Sequence, residues 1–70
     1  MPFSPAKLRA ARESRGWSPE MMAAQTLAAG LPSVSNQTVR NLESARHKPN
    51  LATLETLAAT LGLELVDLLE

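Results

Sequence analysis

The residues best suited to chemistry lie between Asn36 and Ser44. If this segment is helical, Val39 and Leu42, spaced by three, would face a core. The opposite side of that helix then carries Asn36, Gln37, Arg40, Asn41 and Ser44. A carboxamide offers a donor and an acceptor together, which matches N6 and N7 of adenine, and an arginine suits guanine or a phosphate. This face has the chemistry to contact base edges, although solvent-exposed helices also carry such side chains without any partner.

Few residues of the chain suit catalysis. There is one histidine, there is no cysteine, and no glycine-rich phosphate loop is present. Glu64 and Asp67 are three residues apart, but in a short solvated helix we expect them to be surface charges. The sequence therefore predicts no catalytic residue, no metal site and no cofactor, and we do not expect an enzyme.

The charges are unevenly distributed although their sum is zero. All seven basic side chains lie in residues 1–48, together with three acidic ones, whereas residues 49–70 hold four acidic side chains and no lysine or arginine. Such an asymmetry can place a basic face on one side of a neutral molecule, as nucleic-acid binding requires, and it is equally compatible with ordinary solvated surface charge. Charge alone leaves both interpretations open.

The length of 70 residues predicts a single domain, residues 1–70, with a small core. No stretch approaches the roughly 18 consecutive apolar residues of a membrane span, and the N-terminus lacks a basic-then-apolar signal pattern. We therefore expect a cytoplasmic location and no membrane partner.

Two Ser-Pro pairs predict the first two helices, because serine caps a helix and proline is tolerated in its first turn. Ser4-Pro5 begins a helix that is expected to run to about Arg15 and stop at Gly16. Ser18-Pro19 begins a second helix, expected over about 19–29 and stopped by Gly30.

Three further helices follow from similar signals. Ser35 caps a third helix over about 36–44, and Asn50 caps a fourth that ends at Gly62. A short fifth helix is expected from Glu64 to Leu69, and no alternating strand pattern competes. The predicted fold class is all-α. The inward residues of the fourth helix, at helical spacing, are Leu54, Leu57, Ala58 and Leu61.

Most of the chain, from Leu8 to Leu69, resembles the phage-repressor, Cro-like (xenobiotic-response-element type) helix-turn-helix family. Residues 8–18 look like that family's first helix and following turn, residues 35–43 look like its recognition helix, and residues 46–51 look like its basic, proline-containing loop. The resemblance implies a five-helix lambda-repressor-like domain. It also implies sequence-specific binding of double-stranded DNA by a transcription regulator, a repressor of bacterial or phage origin that acts as a homodimer.

The resemblance assigns roles to individual residues. It implies a structural ion pair between Arg12 and Glu43 that orients the recognition helix. It implies contacts with base edges for Asn36, Gln37 and Asn41, with a thymine methyl or a phosphate for Thr38, and with the DNA backbone for Arg46 and Lys48. Arg40, which by its chemistry suits guanine or a phosphate, completes the set of candidate DNA-binding residues. His47, between Arg46 and Lys48, is interpreted as a solvated loop residue and not as a metal ligand.

The chain departs from the family at three places. Pro19 stands where the family often has a glutamine that contacts a phosphate, and Ala45 replaces a glycine just after the recognition helix. The segment from Ala23 to Ser35 is longer than the family's usual tight turn. We expect Leu27, Leu31 and Val34 to cover core surface there. The insertion either leaves the recognition helix in place, because long loops are tolerated, or changes its angle and redirects DNA contact.

Two further expectations concern partners. The apolar stretch Met21-Met22-Ala23-Ala24, followed by Leu27-Ala28-Ala29, leaves room for a protein-interaction module such as an antitoxin or anti-regulator. For a homodimer, the exposed side of the fifth helix, around Val66 and Leu69, is the expected contact.

Overall fold

Four α-helices and one turn of 3-10 helix follow one another along the part of the chain that the structure describes. The computed structural model describes residues 2–46 and 48–70. The elements are α1 (Pro5–Glu13), α2 (Pro19–Ala28), α3 (Asn36–Glu43), α4 (Leu51–Leu61) and the 3-10 turn (Leu65–Leu68). The fold is therefore all-helical, as predicted, but the expected fifth α-helix is a 3-10 turn. Four residues are too few to repeat α-helical hydrogen bonds, and such short segments commonly adopt the tighter form.

Each α-helix begins at the side chain that the sequence predicts as its cap. The hydroxyl oxygens of Ser4, Ser18 and Ser35 accept hydrogen bonds from backbone N–H groups three residues further on. The Asn50 side chain does the same for the first turn of α4. These bonds satisfy N–H groups that have no partner within the helix, so the starts of the elements are determined locally.

Each α-helix also ends in the same way, with one residue in the left-handed conformation. These residues are Gly16, Gly30, Ala45 and Gly62. In every case the N–H of the following residue bonds to the carbonyl five positions earlier, as in a Schellman motif. Ala45, with φ of 59°, is the one of the four that carries a Cβ atom, which this conformation disfavours.

The core receives side chains from every helix. Leu8 of α1 and Met22 of α2 are fully buried, and so are Val39 of α3, Leu57 of α4 and Leu68 of the 3-10 turn. Because each element contributes at least one side chain, the core fixes the position of α3 relative to the others. None of the helices in residues 2–46 and 48–70 is long and apolar enough to cross a membrane.

The connection between α2 and α3 covers residues 29–35 and is anchored by Val34. The Val34 side chain is buried, and its N–H donates to Oγ1 of the buried Thr26 at 3.3 Å. Leu31 is half-buried, but Leu27 is 67% exposed, so the expectation that Leu27 covers core surface is wrong. Met22 and Thr26, spaced by four, take the inward side of α2 and leave Leu27 in solvent.

The two ends of the chain meet. The N–H of Ser4 donates to the carbonyl of Leu68, and the N–H of Glu70 donates to the carbonyl of Pro2, both at 2.8 Å. The Lys7 ammonium adds a 2.6 Å bond to the carbonyl of Leu69. These bonds join residues more than 60 positions apart in sequence, and they hold the 3-10 turn against the start of α1.

Candidate nucleic-acid interface

Helix α3 presents a polar face opposite the core. Val39 and Leu42 are buried, as their spacing predicts. On the other side, Asn36, Gln37, Arg40 and Ser44 are exposed. Thr38 and Asn41 are half-buried. We call Asn36, Gln37, Thr38, Arg40, Asn41 and Ser44 the polar face. The structure places these candidate residues on one solvent-facing surface.

Two carboxamides of the polar face are joined by a hydrogen bond. Nε2 of Gln37 donates to Oδ1 of Asn41 at 3.1 Å, across one helical turn. The bond leaves Oε1 of Gln37 as an acceptor and the Nδ2 protons of Asn41 as donors. A neighbouring acceptor and donor are what the adenine edge requires in the major groove. The pair therefore presents both an acceptor and a donor on the polar face.

Thr38 is held close to the start of α3. The hydroxyl oxygens of Thr38 and Ser35 lie 2.9 Å apart in a hydrogen bond, and the N–H of Thr38 donates to Ser35 at 3.2 Å. The hydroxyl is therefore engaged locally, and the methyl group of Thr38 remains the part free of hydrogen bonds. A methyl group suits an apolar contact with a thymine methyl.

Arg40 forms an ion pair that the sequence analysis did not anticipate. Its guanidinium donates to the carboxylate of Glu20, which lies in the first turn of α2. Both side chains are about half exposed, at 52% and 50%. The hydrogen bond from Arg40 lowers the pKa of Glu20, and the backbone N–H bond at the helix start lowers it further. The signal that could have suggested the pair, opposite charges on two packed helices, is common in sequences and not specific.

Arg12 and Glu43 are joined by a bidentate ion pair. Nε and Nη2 of Arg12 donate to the two carboxylate oxygens at 2.7 and 2.8 Å, and Nη1 donates to the carbonyl of Trp17. The hydrogen bond with Glu43 raises the pKa of Arg12. The pair joins α1 to the last residue of α3. It thus holds the C-terminal end of the polar-face helix in one orientation.

A cleft lies on each side of α3. The first, between α1 and α3, is lined by Arg9, Pro19, Arg40 and Ser44, beside the ion pair of Arg12 and Glu43. The second lies toward α4 and is lined by Thr38, Asn41, Leu42, Lys48, Pro49, Asn50 and Thr53. The starts of α2 and α4 therefore reach the two clefts, at Pro19 and at Asn50.

The loop after α3 supplies two cations. Arg46 and Lys48 are exposed, and neither forms an ion pair with a carboxylate of residues 2–46 or 48–70. The N–H of Arg46 bonds to the carbonyl of Asn41, which ties this loop to the polar face. His47 lies outside the described residues. The two cations thus stand next to the polar face with their charges uncompensated.

Sequence reasoning also missed a role for Arg9. This side chain lines the first cleft and pairs with Glu13 at 3.2 Å, one turn along α1. Its spacing of three from Arg12 places both on one side of α1, and that spacing was the available signal. Among the described residues, no group of three or more histidine or acidic side chains is arranged to hold a metal ion.

The chain was compared with known protein families, curated proteins and solved structures. Residues 8–68 match the family model described as helix-turn-helix, HTH_3, which is the Cro/C1 type. Curated proteins and solved structures give no match. The matched region includes α1 from Leu8 onward, all of α2, α3 and α4, both clefts and the polar face. The chain belongs to the Cro/C1-type helix-turn-helix family of DNA-binding regulators.

Proposed function

We propose that this protein binds double-stranded DNA in a sequence-specific manner as a transcriptional repressor of bacterial or phage origin, acting in the cytoplasm. The observation that carries the proposal is the polar face of α3, with the carboxamides of Gln37 and Asn41 already joined and turned away from the core. Such a helix fits the major groove of B-form DNA, which is about 12 Å wide.

In this proposal the polar face reads bases. Asn36, Gln37 and Asn41 contact base edges, and Thr38 contacts a thymine methyl or a phosphate. In a helix-turn-helix protein the N-terminal part of the second helix reaches the bases, and Asn36 and Gln37 are the first two residues of α3. Position and chemistry thus support the same role.

Phosphate contacts would come from both sides of the groove. Lys48 lines one cleft and Arg40 lines the other, and the exposed Arg46 lies in the same loop as Lys48. Each phosphate that a cation neutralises adds affinity and releases a counterion, so binding should weaken steeply with salt. The seven-residue connection before α3 is compatible with this role. Val34 anchors it to the core, and the Arg12–Glu43 pair holds the other end of α3.

The proposed functional unit is a homodimer. A monomer carries one reading helix, and two such helices about 34–36 Å apart occupy two half-sites on one side of the duplex. Val66, 52% exposed, and Leu69, half-buried, supply apolar surface near the C-terminal end. Sedimentation equilibrium should show a dimer that Val66→Asp dissociates. A monomer at high micromolar concentration, with and without DNA, would argue against dimerisation.

A second candidate is a protein-interaction module such as an antitoxin or anti-regulator. The favouring observation is the outer side of α2, where Met21, Ala24, Leu27 and Ala28 are all exposed. No charged residue occurs from Met21 to Val39, so this surface lacks the solvating charges common on exposed helices. The two functions can coexist, because α2's outer side and the polar face of α3 are different surfaces.

Selection from random duplexes tests the main proposal. At low salt and high protein concentration, the wild-type protein should enrich a pseudo-palindromic site. Failure to enrich any motif would contradict DNA reading. A pull-down with the same protein tests the interaction-module alternative. That alternative would be contradicted if the protein bound a defined DNA site tightly and retained no protein from its host. A Leu27→Asp variant, which should leave DNA binding intact, separates the two surfaces.

A further inference from the structure

We propose that Glu20 limits the strength of DNA binding by holding Arg40, so that Arg40 reaches a phosphate only after it leaves the carboxylate. This inference rests on the proposed function. It assigns to Glu20 an affinity-setting role, exerted through Arg40 and not through a contact of its own with bases.

The first argument is the position of Arg40. It belongs to the polar face of α3, one turn after Asn36, and it lines the cleft that Arg9 and Pro19 also line. A cation at this edge of the reading helix would meet the DNA backbone that borders the groove. In the free protein its guanidinium is instead bonded to the Glu20 carboxylate.

The second argument is that the pair contributes little to the fold. Both side chains are half exposed, and exposed ion pairs stabilise a protein only weakly. The buried Arg12–Glu43 pair, with each side chain 9% exposed, already joins α3 to its neighbours. Holding α3 in place therefore does not depend on Glu20.

The third argument comes from the other carboxylates of the basic half. Glu13, Glu20 and Glu43 each pair with an arginine. Glu13 pairs with Arg9 of the same helix, and Glu43 pairs with the buried Arg12. Glu20 is the one of these three whose partner lies on the exposed polar face. The negative charge of Glu20 cancels the positive charge of Arg40, so the pair as a whole offers the DNA phosphates no net positive charge.

Removal of the carboxylate should let Arg40 bind a phosphate without first breaking the ion pair. Glu20→Gln keeps the side-chain length and removes the charge. We expect roughly three- to fivefold tighter binding at low salt, on the selected site and on an unrelated duplex alike. The slope of log affinity against log salt should steepen by about 0.9, the value for one additional neutralised phosphate.

A double-mutant cycle on the full chain tests the inference by fluorescence anisotropy with both duplexes at several salt concentrations. Glu20→Gln should tighten binding in the wild-type background and have a much smaller effect in an Arg40→Gln background. Glu55→Gln, which removes one exposed charge from α4, is the matched control and should change affinity less. Thermal melting should show that every variant is folded.

The outcomes are distinguishable. An equal gain in both backgrounds would mean that Glu20 repels DNA directly, and no gain in the wild-type background would mean that Arg40 is not limited by it. Either result overturns the inference and leaves DNA binding standing. Absence of binding to any duplex by any variant would overturn the proposed function and this inference together.

Discussion

Arg12 of α1 and Glu43 at the end of α3 share two hydrogen bonds of 2.7 and 2.8 Å, in a setting where each side chain is 9% exposed. The third donor of Arg12 is directed to the carbonyl of Trp17, just before α2. One guanidinium thus connects the three segments that form the helix-turn-helix and its support. The orientation of the polar face depends on this side chain as well as on the core.

Loss of the carboxylate at position 43 should destabilise the protein strongly. Glu43→Ala leaves the buried Arg12 with only the half-exposed Glu13 carboxylate, 4.0 Å away, as a counter-charge, and we expect the free energy of unfolding to fall by about 3–5 kcal/mol. A domain of this size has little more than that in total, so the variant should be largely unfolded at room temperature. Circular dichroism during urea titration measures the loss. The double variant Arg12→Met/Glu43→Leu should recover most of it, because no buried charge remains. A small loss in Glu43→Ala would contradict a buried pair.

Glycine at position 45 should stabilise the protein. Ala45 has φ of 59°, a conformation that costs a residue with a Cβ atom about 1–2 kcal/mol, and the greater freedom of glycine in the unfolded chain offsets part of the gain. We expect Ala45→Gly to raise the free energy of unfolding by about 0.5–1 kcal/mol. Ala10→Gly, at an exposed site within α1, is the control and should lower it by about 1 kcal/mol. Equal effects at the two sites would show that Ala45 is not strained.

The hydroxyl of Thr26 should matter for the long connection. Thr26→Val preserves shape but leaves the buried N–H of Val34 without an acceptor, which should cost about 1–3 kcal/mol. Thr56→Val is the matched control, since the Thr56 hydroxyl only donates to the carbonyl of Ala52 within its own helix. The control should change stability by less than Thr26→Val does, because no N–H group loses its acceptor. If thermal melting gave the same change for both, the Thr26 bond would not anchor the connection.

Two substitutions should separate base reading from backbone binding. Gln37→Ala should relax sequence preference at a cost of about 1–3 kcal/mol on the selected site and little on unrelated DNA. Lys48→Ala should weaken binding to the selected site and to unrelated DNA equally, and it should reduce the slope of log affinity against log salt by about 1. Anisotropy titrations with both duplexes measure the two effects. An equal loss of affinity on both duplexes in Gln37→Ala would mean that Gln37 contacts the DNA backbone and not a base.

The Arg40–Glu20 pair should give a specific pH dependence. Its hydrogen bond lowers the pKa of Glu20 below the unfolded value, so the pair stabilises the fold above the ordinary titration range of glutamate. That contribution is lost as the pH falls through the lowered pKa. Carboxyl NMR titration should show the Glu20 pKa rising toward its ordinary value in Arg40→Gln. Wild-type and variant stabilities should converge at acid pH, and an unchanged Glu20 pKa would contradict the pair.

Local chemistry made much of the fold predictable. Ser4, Ser18, Ser35 and Asn50 cap the helices that they were expected to cap, because a cap bond involves only the next two or three residues. The helical spacing of Val39 and Leu42 likewise predicted which side of α3 is buried. The form of the last element was less predictable, since a segment of four residues is too short for the apolar spacing to distinguish an α-helix from a 3-10 turn.

The sequence by itself determined where the helices begin, which side of α3 is apolar and which side chains form its polar face, since these depend on residue type and short spacing. The tertiary structure alone decided the distant contacts. It brought Glu20 to Arg40, paired residues 2–4 with residues 68–70, and left Leu27 exposed where the sequence predicted burial. Such contacts depend on how helices cross, which many side chains set together. The polar face could therefore be predicted from residue spacing, whereas the contact between Glu20 and Arg40 could not.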